Sequence, residues 1–294
     1  QRSLVRQVKR AMRDLGFFFF FNMVFNPAAG MIAGRLGDSE LIYYCVDEYT
    51  AFTGSAALKE IEEGLFRMAD LVVVSAEKLY DSKKQFNENT HIIRHGTDWR
   101  HFRTALDPAL ALPDEVRGLP RPIIGFHGLL ADWVDFELIK KVAERFERGS
   151  VVLVGKISVD AEQKVKILDG VPNIHFLGRK PYEQLPAYCK AFDVALNPFA
   201  INELTLAANP LKVREYLAAG LPVVSTDIPE VRILEDCLVG TDHDDFIAKI
   251  EFALADPTPR ETVSDRIRHE SWEAKVDELR AIVAASRKED GGLR

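Results

Sequence analysis

The sequence predicts an α/β protein with two Rossmann-like domains, the first of them incomplete. Six short apolar runs follow residue 120, and amphipathic stretches typical of helices separate them. The runs are nearly continuous and mostly β-branched, as expected of strands buried on both faces of a parallel sheet. They lie at residues 123–126, 151–154, 174–176, 194–196, 223–225 and 238–239. The helical stretches lie at 136–146, 182–192, 211–219 and 244–255.

The first third of the chain shows the same alternation less completely. Strands are predicted at 17–21, 42–46, 71–75 and 92–94, and together they make a thin sheet. Four prolines without a sustained period mark residues 106–122 as a linker. The predicted organisation is therefore a partial first domain at 1–105, the linker, a second domain at 123–260, and a C-terminal segment at 261–294. In that last segment a helix at about 264–285 packs back on the body.

Composition and charge restrict the function. The net charge is −7, with 38 Lys and Arg against 45 Asp and Glu, so no global field attracts nucleic acid. Hydrophobic residues make up 47% of the chain, enough for a sizeable core. Cys45, Cys189 and Cys237 are odd in number and widely spaced, which argues against disulfides and zinc and favours the cytoplasm.

An uncharged segment at residues 15–34 raises the question of membrane contact. It follows five basic residues, but Asn22, Asn26 and Pro27 interrupt it, and these favour a buried strand at 17–21 over a membrane span. Residues 1–15 predict an amphipathic helix with a basic face. Packing of this helix on the core is the ordinary interpretation. Peripheral contact with anionic lipid at the inner face of the membrane is the alternative.

In open α/β sheets, ligands collect beyond the carboxyl ends of the strands. The residue pairs that follow the predicted strands are therefore the candidates for a site. These pairs are His127-Gly128, Gly155-Lys156, Gly178-Arg179, Pro198-Phe199 and Thr226-Asp227.

The most informative stretch runs from Asn197 to Thr226. Asn209 is expected to cap a helix that starts at Pro210, and Gly220 is expected to end it. Lys212 then lies in the first turn, where its charge opposes the helix dipole unless an anion is bound. Glu215 shares that face and has two oxygens for ribose hydroxyls. The pair fits a nucleoside diphosphate, although Lys-x-x-Glu alone is ordinarily a surface pair.

Several motifs resemble the GT-B glycosyltransferases, in particular the retaining nucleotide-sugar enzymes of family 4. The stretch EYLAAGLPVVST at 215–226, with Pro198-Phe199 and Pro210-x-Lys212 before it, is similar to their donor-binding segment. HGTDWRHF at 95–102 is similar to the NGVD-x-x-x-F sequence that ends their N-terminal domain. The resemblance covers about residues 40–285.

This resemblance implies roles for individual residues. Glu215 would hold the donor ribose and Lys212 the diphosphate. Thr205 and Asn209 would hold the sugar, while Gly178, Arg179 and Lys180 would hold the base. Gly128 and Phe199 would line the donor site, and Asp47, in YYCVDEY, would face the reaction centre. The predicted catalytic residues are thus Asp47, Lys212 and Glu215, with no cofactor and no metal.

The sequence also departs from the family pattern. Ala207 replaces the first glutamate of the family 4 pair, and GLLADW at 128–133 replaces the usual Arg and Lys. Diphosphate binding would then rely more on Lys212 and backbone amides. The family's opening strand and glycine-rich loop are not found before Gln1, so the acceptor site is expected to be incomplete.

The predicted activity is transfer of a sugar from a nucleoside-diphosphate donor to a glycan or lipid-linked acceptor alcohol, in cell-surface polysaccharide or glycolipid synthesis. A sugar-nucleotide epimerase and a non-catalytic partner subunit remain as alternatives. Asp242-His243-Asp244 matches a metal-binding DxD pattern, but its place at a predicted helix start explains the acidic residues without a metal.

Overall fold

The computed structural model describes residues 2–18, 20–37, 40–49 and 56–291, which form two compact units. The first unit comprises Gln1–Arg94, Leu206–Asn209 and Val276–Arg294. The second comprises His95–Thr205 and Pro210–Lys275. Each unit contains its own parallel sheet, which confirms the α/β prediction.

The sheet of the first unit has four parallel strands in the order β1-β2-β3-β4. The strands are β1 (Phe21–Val24), β2 (Glu40–Cys45), β3 (Leu71–Val74) and β4 (Thr90–Ile92). The helices of this part are α1 (Arg2–Asp14), α2 (Ala56–Met68) and α3 (Glu77–Lys83). Every residue of β2 and β3 is buried, as continuous apolar runs predict.

Two expectations about the start of the chain are wrong. The strand predicted at 17–21 begins only at Phe21, and Phe17 and Phe18 are 54% and 73% exposed. Phe19 lies outside the described residues. The helix α1 forms as predicted but has no buried residue, so its apolar face does not pack on a core. Among the described residues, no helix is both long and apolar enough to cross a membrane.

The second unit contains six parallel strands in the order β10-β9-β8-β5-β6-β7. They are β5 (Ile123–His127), β6 (Ser150–Val154), β7 (Ile174–Gly178), β8 (Val194–Asn197), β9 (Val223–Thr226) and β10 (Cys237–Gly240). The remaining helices of the chain are α4 (Trp99–Arg103), α5 (Phe136–Arg145), α6 (Leu185–Ala191), α7 (Glu203–Leu206), α8 (Leu211–Ala218), α9 (His243–Ala255), α10 (Arg260–Arg266) and α11 (Trp272–Gly291). All six predicted strands are confirmed, each with bounds shifted by at most two residues.

The contacts divide the chain at Arg94 and not near residue 105. Phe102 of α4 is fully buried in the core of the second unit, which explains why α4 belongs there. The predicted linker is likewise held by this unit: Val116 is buried in the same core, and the Lys190 ammonium donates to the carbonyls of Asp107, Pro108 and Leu110.

The single C-terminal helix expected at 264–285 is instead broken into α10, a 3-10 turn at Ile267–Glu270, and α11. The break has a local cause. The Thr97 amide donates to the Glu270 carbonyl, and the Trp272 amide donates to the Thr97 carbonyl. The backbone at 270–272 is therefore used for pairing with Thr97 and cannot continue a helix. From Val276 onward α11 belongs to the first unit.

Gly125, in the middle of β5, gives a test of this packing. A Cβ at this position would overlap the Phe192 ring, so Gly125→Ala should lower the free energy of unfolding by about 1–3 kcal/mol through overpacking. Gly64 of α2 has open space around it, so Gly64→Ala should stabilise by about 0.5–1 kcal/mol. Chemical denaturation of both variants checks the two signs, and an unchanged Gly125→Ala protein would contradict the packing.

Candidate functional site

The strand order of the second unit reverses at β5. From β5 the chain first builds β6 and β7 on one side and then continues with β8 on the other. A crevice at the carboxyl ends of the strands is expected at such a reversal. His127 ends β5, and Phe199 follows β8 by two residues, so both lie at this crevice.

The helix α8 approaches the crevice from the β8 side. It ends at Ala218, and Gly220, which follows the C-cap residue Ala219, has the positive φ of 75° expected of a glycine that terminates a helix. The predicted cap is wrong: Pro210 occupies the N-cap position and makes no side-chain cap bond. The side chain of Asn209 instead donates to the Ser75 carbonyl at 2.6 Å in the first unit, so its amide is used there.

Lys212 lies in the first turn of α8, and its ammonium reaches the end of β5. Its Nζ is 4.4 Å from the centroid of the Phe199 ring and 5.6 Å from that of Phe126. A Cβ on Gly128 would lie 2.8 Å from the Lys212 Cε, so any larger residue would displace the end of the lysine side chain. No carboxylate in the described part of the chain pairs with Lys212. Burial lowers the pKa of this half-buried lysine to about 8, although Glu215 raises it.

Glu215, one turn along α8, is 7% exposed. Burial raises the pKa of its carboxyl to about 7, although the nearby Lys212 ammonium lowers it. Its Oε2 is 3.7 Å from the Nε2 of His127, too far for a hydrogen bond. Lys212 and Glu215 are therefore two partly desolvated groups and not the exposed surface pair that the spacing alone would suggest.

His127 is held in place by residues that sequence reasoning did not select. The Tyr216 hydroxyl accepts a bond from the His127 amide at 2.6 Å and donates to its carbonyl at 3.2 Å. The Phe102 ring lies nearly parallel to the imidazole, with a centroid distance of 5.9 Å. Burial, together with the positive charge of Lys212, lowers the pKa of His127 to about 3, so the ring is neutral. No sequence signal links Tyr216 or Phe102 to this strand end.

A cavity of about 280 Å³ opens beside Gly128 at the carboxyl ends of β5, β6 and β7. It is lined by His127, Gly128, Leu129, Val154, Gly155, Lys156, Arg179, Lys180 and Leu185. Lys180 is engaged by Glu115 at 2.7 Å, whereas Lys156 and Arg179 have no ion-pair partner among the described residues. The structure therefore brings the predicted Gly128, Arg179 and Lys180 together in one basic cavity.

The other predicted site residues lie differently. Gly178 ends β7 with a positive φ of 68°, and its carbonyl accepts from the Gly155 amide. Thr205 is buried, and its hydroxyl donates to the Ala200 carbonyl at 2.6 Å. Asn209 and Asp47 belong to the first unit. Burial raises the pKa of Asp47, which follows β2. Their suggested roles remain predictions.

The DxD-like segment has a structural explanation. Asp242 caps α9 by accepting from the Asp245 amide, and His243 contacts Asp135 at 2.8 Å. Within the described ranges, no group of three His, Cys, Asp or Glu side chains is arranged to hold a metal ion.

Comparison with known proteins agrees with this geometry. Residues 121–256 match the family model described as glycosyl transferases group 1. The chain is 25% identical over 271 residues to a Bacillus subtilis protein assigned as the teichuronic acid biosynthesis glycosyltransferase TuaH, covering 84% of this chain and 67% of that one. The chain is a glycosyltransferase.

Solved structures show that the fold of this glycosyltransferase is GT-B. Anabaena HepE in complex with UDP matches with a TM-score of 0.75 at 14% identity, over 96% of this chain and 82% of that one. Sucrose-phosphate synthase from Thermosynechococcus elongatus matches with a TM-score of 0.72 at 19% identity, over 96% and 78%. The epimerase and the non-catalytic partner are not favoured by these relatives.

The lowered pKa of Lys212 can be measured directly. With a pKa of about 8 instead of the usual 10.5, its ammonium loses the proton as the pH rises through 8, while exposed lysines remain charged. In ¹³C NMR of reductively methylated protein, one lysine should titrate early, and its signal should vanish in Lys212→Met. Glu215→Gln should lower this pKa further because the carboxylate raises it. Titration of every lysine in the usual range would contradict the burial of this ammonium.

Proposed function

We propose that this glycosyltransferase takes its sugar from a nucleoside-diphosphate donor held by the second unit. The observation that carries the proposal is the Lys212 ammonium, which lies against Gly128 at the end of β5 with no carboxylate partner in the described part of the chain. A desolvated cation at a helix start and a strand end is suited to a diphosphate. The solved structure of HepE contains UDP, which supports this type of donor.

Glu215 supports the same proposal from one turn further along α8. Its carboxylate lies on the face of Lys212, and its two oxygens suit the adjacent hydroxyls of a ribose. The cavity beside Gly128, lined by Lys156 and Arg179, continues this surface across the ends of β6 and β7. Phosphate, ribose and the remainder of the nucleotide would then contact successive strand ends.

The chemistry that this arrangement favours is stabilisation of the leaving group. When the bond between the sugar and the diphosphate breaks, negative charge develops on the phosphate oxygens. A positioned ammonium in a partly dry site interacts with that charge more strongly than water does. Lys212 is the residue in the second unit with this placement, and it would act without a metal ion.

The acceptor is proposed to be the alcohol of a glycan or of a lipid-linked sugar. The relative assigned to teichuronic acid biosynthesis supports a role in polysaccharide synthesis. Asp47, half-buried after β2 of the first unit, is the candidate for contact with the reacting groups. We also propose a cytoplasmic location. The three cysteines are free, which is typical of a reducing compartment.

Loss of either central side chain should weaken nucleotide binding. Lys212→Met and Glu215→Gln keep the shape and remove a charged partner, which should cost on the order of 1.5–3 kcal/mol, or roughly ten- to hundredfold in Kd. The measurement is calorimetric titration with whichever of UDP, ADP and GDP stabilises the wild type most in a thermal-shift screen.

Matched controls come from the exposed face of α5. Lys141→Met and Glu144→Gln remove the same charges with the same spacing near the far end of α5 and should leave the Kd unchanged. Wild-type affinity in both crevice variants would refute the site. If none of the three nucleotides raises the melting temperature of the wild type, the proposed class of donor is refuted.

A second proposal concerns the start of the first unit, which we infer makes peripheral contact with anionic lipid. The helix α1 buries no residue, and Phe17, Phe18 and Phe21 are each more than half exposed. A cavity of about 540 Å³ is lined by Phe17, Phe18 and Phe20 and by four cations of α1, which are Arg6, Lys9, Arg10 and Arg13. Exposed aromatic residues beside cations match the chemistry of a lipid interface.

Binding to vesicles tests the lipid proposal. Because each cation near an anionic surface contributes about 1 kcal/mol, Arg6→Gln with Arg10→Gln should weaken binding to phosphatidylglycerol vesicles by roughly tenfold or more. High salt should weaken wild-type binding as well. Lys164→Gln with Lys166→Gln, in the second unit, is the control of equal charge. Equal binding to neutral and anionic vesicles would contradict the electrostatic part of the proposal.

A further inference from the structure

One nitrogen at the candidate site has no partner. The Nε2 of His127 is buried and makes no hydrogen bond with any described residue. Burying a polar group without a partner is unfavourable, so such atoms call for an explanation. This atom lies at the end of β5, and His127 lines the cavity beside Gly128.

The direction of the imidazole ring is fixed by its neighbours. The amide and the carbonyl of His127 are both hydrogen-bonded to the Tyr216 hydroxyl. The Phe102 ring is stacked on the imidazole, and the Tyr216 ring meets the imidazole edge-on, with a centroid distance of 4.5 Å. The Oε2 of Glu215 is 3.7 Å from this Nε2. A movement of less than 1 Å would bring the two atoms to the roughly 2.9 Å of a hydrogen bond.

We propose that His127 is a positioning residue for Glu215, and that its Nε2–H donates to this carboxylate when a nucleoside diphosphate occupies the site. The proposal rests on the donor site proposed above. One Glu215 oxygen would be held by the imidazole, and the carboxylate would then be oriented towards the ribose hydroxyls. The ring donates while neutral, with its single proton on Nε2, so no proton is transferred.

The protonation states agree with this role. Three elements contribute polar groups near Glu215. The strand β5 contributes His127, the helix α8 itself contributes Lys212 and Tyr216, and the segment around α6 contributes Tyr182 and Cys189. The pKa of His127 is lowered to about 3, so the ring stays neutral. The pKa of Glu215 is raised to about 7, so the carboxyl becomes protonated as the pH falls through 7 and then accepts poorly. A bond donated to the ionised form lowers that pKa.

Three substitutions at this position separate the donor from the ring. His127→Phe keeps an aromatic ring against Phe102 and removes the nitrogen. His127→Asn places an amide nitrogen near the position of Nδ1, and His127→Gln places one near that of Nε2. Phe102→Leu is the control for packing, because it disturbs the same stack without changing a polar atom.

The readout is the Kd as a function of pH, for whichever of UDP, ADP and GDP the wild type binds most tightly. His127→Phe and His127→Asn should raise the Kd by about tenfold, the usual effect of one hydrogen bond to a charged group. Binding weakens at low pH as Glu215 becomes protonated, and we call this part of the profile the acidic limb. In both variants the acidic limb should shift by about one unit to higher pH, since Glu215 loses a bond that favours its ionised form. His127→Gln should restore both values, and Phe102→Leu should lower the melting temperature without moving the limb.

Wild-type protein labelled with ¹⁵N-histidine gives a test that needs no substitution. On nucleotide addition, His127 should carry its proton on Nε2, and that proton should become protected from exchange. A bare Nε2 in the complex overturns the proposal.

The substitution series has two further outcomes that overturn the proposal. In the first, His127→Phe has the same Kd and the same acidic limb as the wild type. The other is an equal loss in all three variants with an unmoved limb, which would mean that the ring matters for packing alone. If the wild type binds none of the nucleotides, the donor site itself fails, whereas normal wild-type binding with unaffected variants refutes this inference alone.

Discussion

The close approach of α8 to the carboxyl end of β5 is the contact on which the candidate site depends. The Tyr216 hydroxyl is bonded to both backbone polar groups of His127, and one turn earlier the Lys212 stem lies against Gly128. A Cβ at position 128 would meet the Cε of the lysine at 2.8 Å, so the end of that side chain would have to move. With glycine there, the ammonium and the carboxylate of α8 are carried to the point where the strand order reverses.

This approach also determines the charge state of the site. Removing an ammonium and a carboxyl from water disfavours the charged form of each, so the pKa of Lys212 falls and that of Glu215 rises. Both groups therefore titrate near neutral pH. A bound diphosphate would favour the charged lysine, and ribose hydroxyls would favour the charged glutamate, so a ligand of this kind supplies what the unliganded site lacks. The Nε2 of His127 is a third buried polar group at this site, and it has no hydrogen-bond partner among the described residues.

Some local signals were overridden by distant partners. Asn209 has the side chain of a helix cap, but its amide is bonded to the carbonyl of Ser75, far away in the sequence. The periodicity of residues 264–285 suggested one helix, but the backbone at 270–272 pairs with Thr97 instead. The run of phenylalanines at 17–21 looked like a buried strand, yet the strand begins at Phe21. In the first two cases the deciding interaction joins residues that no local pattern connects.

The sequence by itself determined the architecture of the second unit and the position of the candidate site. Continuous β-branched runs have to be buried on both faces, which requires a parallel sheet, and that sheet places its strand ends together. The amino-acid order also placed Lys212 and Glu215 on one face of one helix. Only the tertiary structure decided how far each is removed from water, and that Tyr216 and Phe102 hold His127 beside Glu215. Burial and partner choice depend on which elements meet in space, and sequence spacing does not encode those long-range contacts.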